Sequence, residues 1–359
     1  MRRLLLHAFL ALATALPAIV LADDAAPAIA PLGEAFIQAS WNVSGVPRND
    51  PRSPENGRLA FAATRVSLGA EATFERLLAA RVLLAAEPQD GRWSPVAKEA
   101  WLDLRFQGPV NLRAGVLPTG WIGFLDRATA FRFVSKSAYE RWLAMPETDL
   151  GVALWGRFPG GYGSYQVGAY NGDGFAKPEF TKGKAFDLRA TFALFQNVPA
   201  LTDLSFSLYV RYEAADPRPG KNVLQYALLL HWRHAFTADL AANGGAELDF
   251  QSVNPKRYAN PDTIVNALVL SAFADVSFYR GLGVFVRADY FDPDTEDRKD
   301  LHGYRDERWL QIAGIDYRIG DHVAVALDYQ HVSYATTGPT GRGVKAPDHV
   351  LFLHGRVGF

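Results

Sequence analysis

Cysteine is absent from all 359 residues, so the chain closes no disulfide, offers no thiol nucleophile and carries no lipidated cysteine of the lipoprotein kind. An excess of one charge is missing too. The 37 Lys and Arg against 38 Asp and Glu leave a formal −1, or −3 once Arg2 and Arg3 depart with a leader. A nucleic-acid partner requires a basic footprint, which this balance does not supply. Long apolar runs are scarce as well. MRRLLLHAFLALATALPAIVLA has a basic start, a short apolar stretch and small residues at Val20 and Ala22, which predicts a signal peptide cleaved after Ala22. Beyond it nothing approaches the roughly 20 apolar residues that a helix needs to cross a bilayer. The expected organisation is a signal peptide over 1–22, a flexible Ala/Pro-rich segment over 23–33, and one large domain over 34–359.

What remains is aromatic (13%), rich in glycine, and alternating. The closing stretch HVLFLHGRVGF puts Leu351, Leu353, Val357 and Phe359 in one register and His354, Arg356 and Gly358 in the other. Period-two patterning of this kind marks a strand with one apolar and one polar face. It recurs from Glu34 to Val43 and onward to the end, giving about sixteen strands, of which the twelfth (Ile264 to Phe278) and fourteenth (Leu310 to Ile319) alternate poorly. The connections take turns: tight links such as Gly108–Pro109 and Gly320–Asp321 alternate with long polar segments such as Ser44 to Gly57 and Ala335 to Asp348. A soluble sandwich has no reason to keep that rhythm. A transmembrane antiparallel β-barrel does, because its periplasmic turns stay short while its extracellular loops grow.

The two faces support the same fold. Leu204, Phe206, Leu208, Val210 and Tyr212 would meet lipid, while Asp203, Ser205, Ser207, Arg211 and Glu213 share the opposite register. Charges at that density inside a sandwich core would each cost several kcal/mol, on the order of 3–5 where one lacks a partner. A water-filled lumen accepts them. The terminal Phe359 resembles the closing aromatic of bacterial outer-membrane barrels. The expected location is therefore the outer membrane of a Gram-negative bacterium, with lipid and lipopolysaccharide around the wall.

The third long connection, Pro118 to Thr148, spends Trp121, Phe124, Phe131, Phe133, Tyr139 and Trp142 in one loop. So many rings predict a loop folded into the lumen, narrowing the pore and offering Arg127, Arg132, Lys136 and Arg141 to solutes. Arginines in the lumen register of the wall, among them Arg113 and Arg157, add charge-fixed forks suited to phosphate or carboxylate oxygens. Acids share that register, so any one arginine is as readily explained by pairing across the wall.

Residues 111–174, reading NLRAGVLPTGWIGFLDRATAFRF, then TDLGVALWGRF and YQVGAYNGDGF, resemble the phosphate-selective porin O/P family. The resemblance implies a sixteen-stranded, trimeric channel whose inward loops bind anions, here through Arg127, Arg132, Lys136 and Arg141. Unlike that family, this chain has a slightly acidic balance and few lumen lysines.

The expected function is passive diffusion of small hydrophilic solutes, anionic or neutral, with a phosphate-type preference, by a homotrimer without cofactor or metal. The alternatives are a barrel hydrolase and a non-conducting adhesin or structural barrel. The nearest catalytic grouping is Asp328, His331 and Ser333, and the nearest histidine pair in sequence, His231 and His234, falls on opposite faces of a strand.

Overall fold

A computed structural model describes residues 27–43, 59–74, 77–89, 92–106, 108–143, 145–172, 174, 183–214, 222–253, 264–296, 307–335 and 347–359. The expected signal peptide lies outside them. Sixteen strands form one closed antiparallel barrel. They are β1 (Ala28–Asn42), β2 (Leu59–Phe74), β3 (Leu78–Gln89), β4 (Arg92–Arg105), β5 (Val110–Pro118), β6 (Thr148–Arg157), β7 (Gly163–Tyr170) and β8 (Ala185–Ala193). They continue as β9 (Ser205–Glu213), β10 (Val223–Ala235), β11 (Ala241–Val253), β12 (Val265–Phe278), β13 (Leu282–Asp292), β14 (Arg308–Ile319), β15 (Val323–Tyr334) and β16 (Asp348–Gly358). Each pairs with its sequence neighbours, and β16 returns to β1, so no edge is left to seek another chain.

Alternation decides which side chain meets which medium. Along β15, Val325, Leu327 and Tyr329 are exposed on the outside while Ala324, Ala326, Asp328 and Gln330 are buried within. The exposed row continues around the wall through Ile37, Val152, Leu228, Val286 and Leu353, the apolar band a bilayer requires. The barrel closes where Gly33 and Phe359 exchange two backbone hydrogen bonds, of 3.1 and 2.9 Å.

Two expectations change at the ends of elements. β1 starts at Ala28, so residues 28–33 are strand and pair with β2 as far as Thr73, although their Ala/Pro composition predicts a flexible lead. Residues Glu87 to Ala97, polar enough to predict another of the long loops, are instead a continuing ladder, because β3 and β4 pair out to Gln89 and Arg92 past an irregularity at Leu83/Leu84.

The connection between β5 and β6 contains two helices, α1 (Ile122–Thr129) and α2 (Ala138–Leu143), and both lie against inward-facing wall residues. Trp121, Ile122, Leu125 and Tyr139 are fully buried against Tyr209, Leu229 and Val269. Farther along, Phe133 and Val134 pack with Phe36, Phe285, Leu310 and Ile312. This contact accounts for the poor alternation of β12 and β14. Val269 and Phe273 on β12, and Leu310 and Ile312 on β14, point inward yet are apolar because loop side chains rather than water cover them.

Candidate functional site

The loop is fastened to one wall by hydrogen bonds running both ways. The Gly120 N–H donates to Asp187 (2.9 Å), the Trp121 indole N–H to Glu247 (3.2 Å) and the Trp142 indole N–H to Asp289 (3.1 Å). In return, Arg287 donates to the Lys136 carbonyl (2.6 Å) and Asn243 to the Ala128 carbonyl (3.1 Å). Stacking reinforces them. Trp121 lies 5.3 Å from Tyr209 and Trp142 lies 5.0 Å from Phe291, both nearly parallel.

On the opposite side the loop is held by one carboxylate. Glu147 accepts from Lys98 of β4 at 2.8 Å, Arg65 of β2 at 2.9 Å and Arg132 of the loop at 3.5 Å. Burial alone would raise its carboxyl, but those three cations outweigh burial and hold Glu147 well below the usual carboxylate range.

Beside this second attachment remains a cavity of about 700 Å³, lined in part by Arg65, Lys98, Arg132 and Glu147 themselves. Eight Arg and Lys side chains line it against five Asp and Glu, while Glu71, Glu87, Asp275 and Asp316, which do not line it, pair with four of those cations. The imbalance grows when Asp126 takes a proton. Burial pushes that carboxyl up to about 7, against the pull of Arg132.

The cations expected to meet solutes fall into different situations. Arg132 is occupied by Asp126 (3.1 Å), Glu140 (2.8 Å) and Glu147, and acts as an internal brace of the loop. Lys136 is half exposed and pairs with Glu140 at 2.7 Å. Arg141 donates to the Ser135 hydroxyl at 3.1 Å and lies over Trp142. Arg113 pairs with Asp103 at 3.2 Å, and its guanidinium lies 4.2 Å from the Trp101 ring and 5.4 Å from that of Trp155. Arg157 is exposed at the end of β6, in the register of the buried Ala153. Arg127 lines the cavity and forms no ion pair among the described residues; burial lowers its pKa, the carboxylate of Asp126 opposes that shift, and a guanidinium stays charged regardless.

Arg189 was not among the expected solute contacts. It lies 4.5 Å over Phe124 of α1 and donates to Thr191 at 3.2 Å, without an acidic partner among the described residues. Sequence marks it only as one more wall arginine; what separates it from its neighbours is the ring that loop folding brings beneath it. Arg113 and Arg189 are both close enough to Arg127 for mutual repulsion.

The catalytic alternative loses its geometry. Asp328 faces the lumen and pairs with His354 at 2.8 Å, whereas His331 and Ser333 belong to the outward register of β15. A strand cannot bring those two faces together.

No family model matches the chain, and no curated protein matches it. Solved structures do. An anion-selective porin from Comamonas acidovorans superposes with a TM-score of 0.65 at 11% identity, covering 93% of this chain and 100% of that one. The outer membrane channel DcaP of Acinetobacter baumannii gives 0.60 at 11% identity, covering 94% and 99%. Salmonella typhi OmpF, solved in complex with daunomycin, gives 0.60 at 11%, covering 92% and 97%. Matches of this length at such low identity establish architecture: the chain has the closed sixteen-stranded barrel fold of the outer-membrane porins.

Proposed function

We propose that this protein is a porin of the Gram-negative outer membrane, a passive diffusion channel for small hydrophilic solutes that prefers anions. One observation carries the preference. Beside the inward loop, Arg127 and Arg189 have no carboxylate partner among the described residues, and the cavity lining carries eight cations against five acids. In a narrow, low-dielectric passage such charges focus potential and raise the local concentration of counter-ions. Arg113 and Arg157 extend the cationic lining along the wall, while Arg132, Lys136 and Arg141 chiefly shape the loop that presents Arg127.

Phosphate is the solute suggested by the resemblance of 111–174 to the phosphate-selective porins, and the arginine forks suit its oxygens. The anion-selective porin of Comamonas acidovorans shares the barrel, which supports the reading without assigning a solute. A homotrimer in lipid and lipopolysaccharide is the assembly in keeping with a solved structure of Vibrio cholerae OmpT in trimer form. The reading needs no catalysis and no cofactor. Swelling of liposomes containing the purified protein tests it: small anionic and neutral solutes should enter, anions faster, with phosphate slowing the passage of other anions. Entry of cationic solutes in preference to anionic ones would contradict it.

A further inference from the structure

Eighteen residues apart in sequence, His331 and His349 are directly opposed across β15 and β16. Both belong to the outward register, so neither takes part in the lumen. The pair lies one two-residue step, roughly 7 Å at strand rise, beyond the level at which Tyr329, Leu351 and Trp41 align across β15, β16 and β1. His331 is three residues from the end of β15 and His349 is the second residue of β16, so the pair stands at the rim bordering the long 335–347 connection, within reach of water and headgroups.

The contacts at this spot exceed what a hydrogen-bond scheme satisfies. The Nδ1 atoms of the two rings are 3.2 Å apart, and the Tyr329 hydroxyl also closes on the same Nδ1 of His349. An imidazole nitrogen carries either one proton or one in-plane lone pair, so it serves one partner well. Two compete here. A cation that accepts both lone pairs, with the ring protons moved to Nε2, removes the conflict. Two nitrogen ligands at 2.0–2.1 Å from a tetrahedral ion are about 3.3–3.4 Å apart, close to the spacing found. The rings are already side by side, with centroids 4.4 Å apart and planes inclined by 31°.

We propose that His331 and His349 form a divalent transition-metal site of the Zn²⁺, Ni²⁺ and Cu²⁺ class on the outer wall, clipping β15 to β16 near the seam that closes the barrel. Imidazole selects these borderline ions over Mg²⁺ and Ca²⁺, which take oxygen ligands. The hydroxyl of Tyr329 stands as the adjacent oxygen donor.

Calorimetric titration of the full-length protein in detergent with Zn²⁺ tests the site. One saturable ion per chain is expected, tighter binding for Cu²⁺, and none for Mg²⁺. His331→Ala and His349→Ala should each weaken Zn²⁺ binding at least tenfold, while His234→Ala leaves it unchanged. Because a variant could fold poorly, the heat-dependent gel mobility of each barrel is recorded alongside, and the thermal midpoint of the wild type should rise with Zn²⁺ while that of His331→Ala stays fixed. Absence of saturable Zn²⁺ binding in the folded wild type, or undiminished binding in both folded histidine variants, would overturn the site.

Discussion

Phe359 lies across Gly33, its ring covering the position where any other residue would carry a Cβ, while the two backbones exchange a pair of hydrogen bonds. The last residue thereby seals the first strand to the last. Only a residue without a side chain permits that approach. Gly33→Val should displace the exposed, movable ring and lower the urea midpoint for the change in tryptophan fluorescence by a small amount. An unchanged midpoint would show that the ring is dispensable to closure.

The strands are legible in sequence because lipid on one side and water on the other impose a strict period of two, as Val325, Leu327 and Tyr329 against Asp328 and Gln330 illustrate. Legibility fails where that condition fails. Val269, Phe273, Leu310 and Ile312 face the lumen yet meet loop side chains, so the pattern blurs at β12 and β14. Blurred alternation is thus the trace of the inward loop. The candidate site was harder to read, since Arg127 and Arg132 look alike in sequence. Only the fold brings Glu140 and Glu147 to Arg132 and leaves Arg127 without an ion pair among the described residues. His331 and His349 are separated by a loop and nothing local connects them.

Charge reversal should distinguish the two kinds of arginine. Arg127→Glu and Arg189→Glu are each expected to move the reversal potential in a salt gradient toward cations, and Arg132→Gln to move it less. Equal shifts for all three would mean that pairing does not decide which arginine the solute meets.

Glu147 joins two strands to the loop through three cations. Replacing it by Gln removes the one carboxylate that all three share, but Arg65 and Lys98 keep Glu87 and Arg132 keeps Asp126 and Glu140, so the loss stays below the roughly 3–5 kcal/mol of a buried charge left wholly unpartnered. Because its folded carboxyl titrates below the ordinary range, the stability it contributes is present above the unfolded value and is lost only as pH falls through the lowered one. Trypsin cleavage of the folded protein within 119–147 should therefore increase in Glu147→Gln at pH 7, and backbone amide exchange of the same segment in the wild type, corrected for the intrinsic exchange rate at each pH, should stay protected down to about pH 4, near an ordinary carboxylate value. Equal cleavage rates at pH 7 would show that Glu147 does not hold the loop.

Asp126 titrates in the opposite sense. With its pKa raised to about 7, the folded state binds the proton more strongly than the unfolded chain does, so the cost of its charge is relieved as pH falls through 7. Anion selectivity should rise between pH 8 and pH 6 and lose this dependence in Asp126→Asn, measured as reversal potential against pH. A slope that persists in the variant would assign the titration to another group.

Trp121 is fully buried and its indole N–H serves Glu247. Trp121→Ala should cost about 3–5 kcal/mol, loosen α1 from the wall and alter single-channel conductance. Conductance and stability equal to wild type would place the loop's anchorage elsewhere.

The most direct measurement of the central claim, a water-filled barrel with an electropositive constriction, is the zero-current potential of the purified protein in a planar bilayer under a potassium chloride gradient. Stepwise conductance with a reversal potential on the chloride side is expected. Failure to conduct, or a reversal potential on the potassium side, would contradict it.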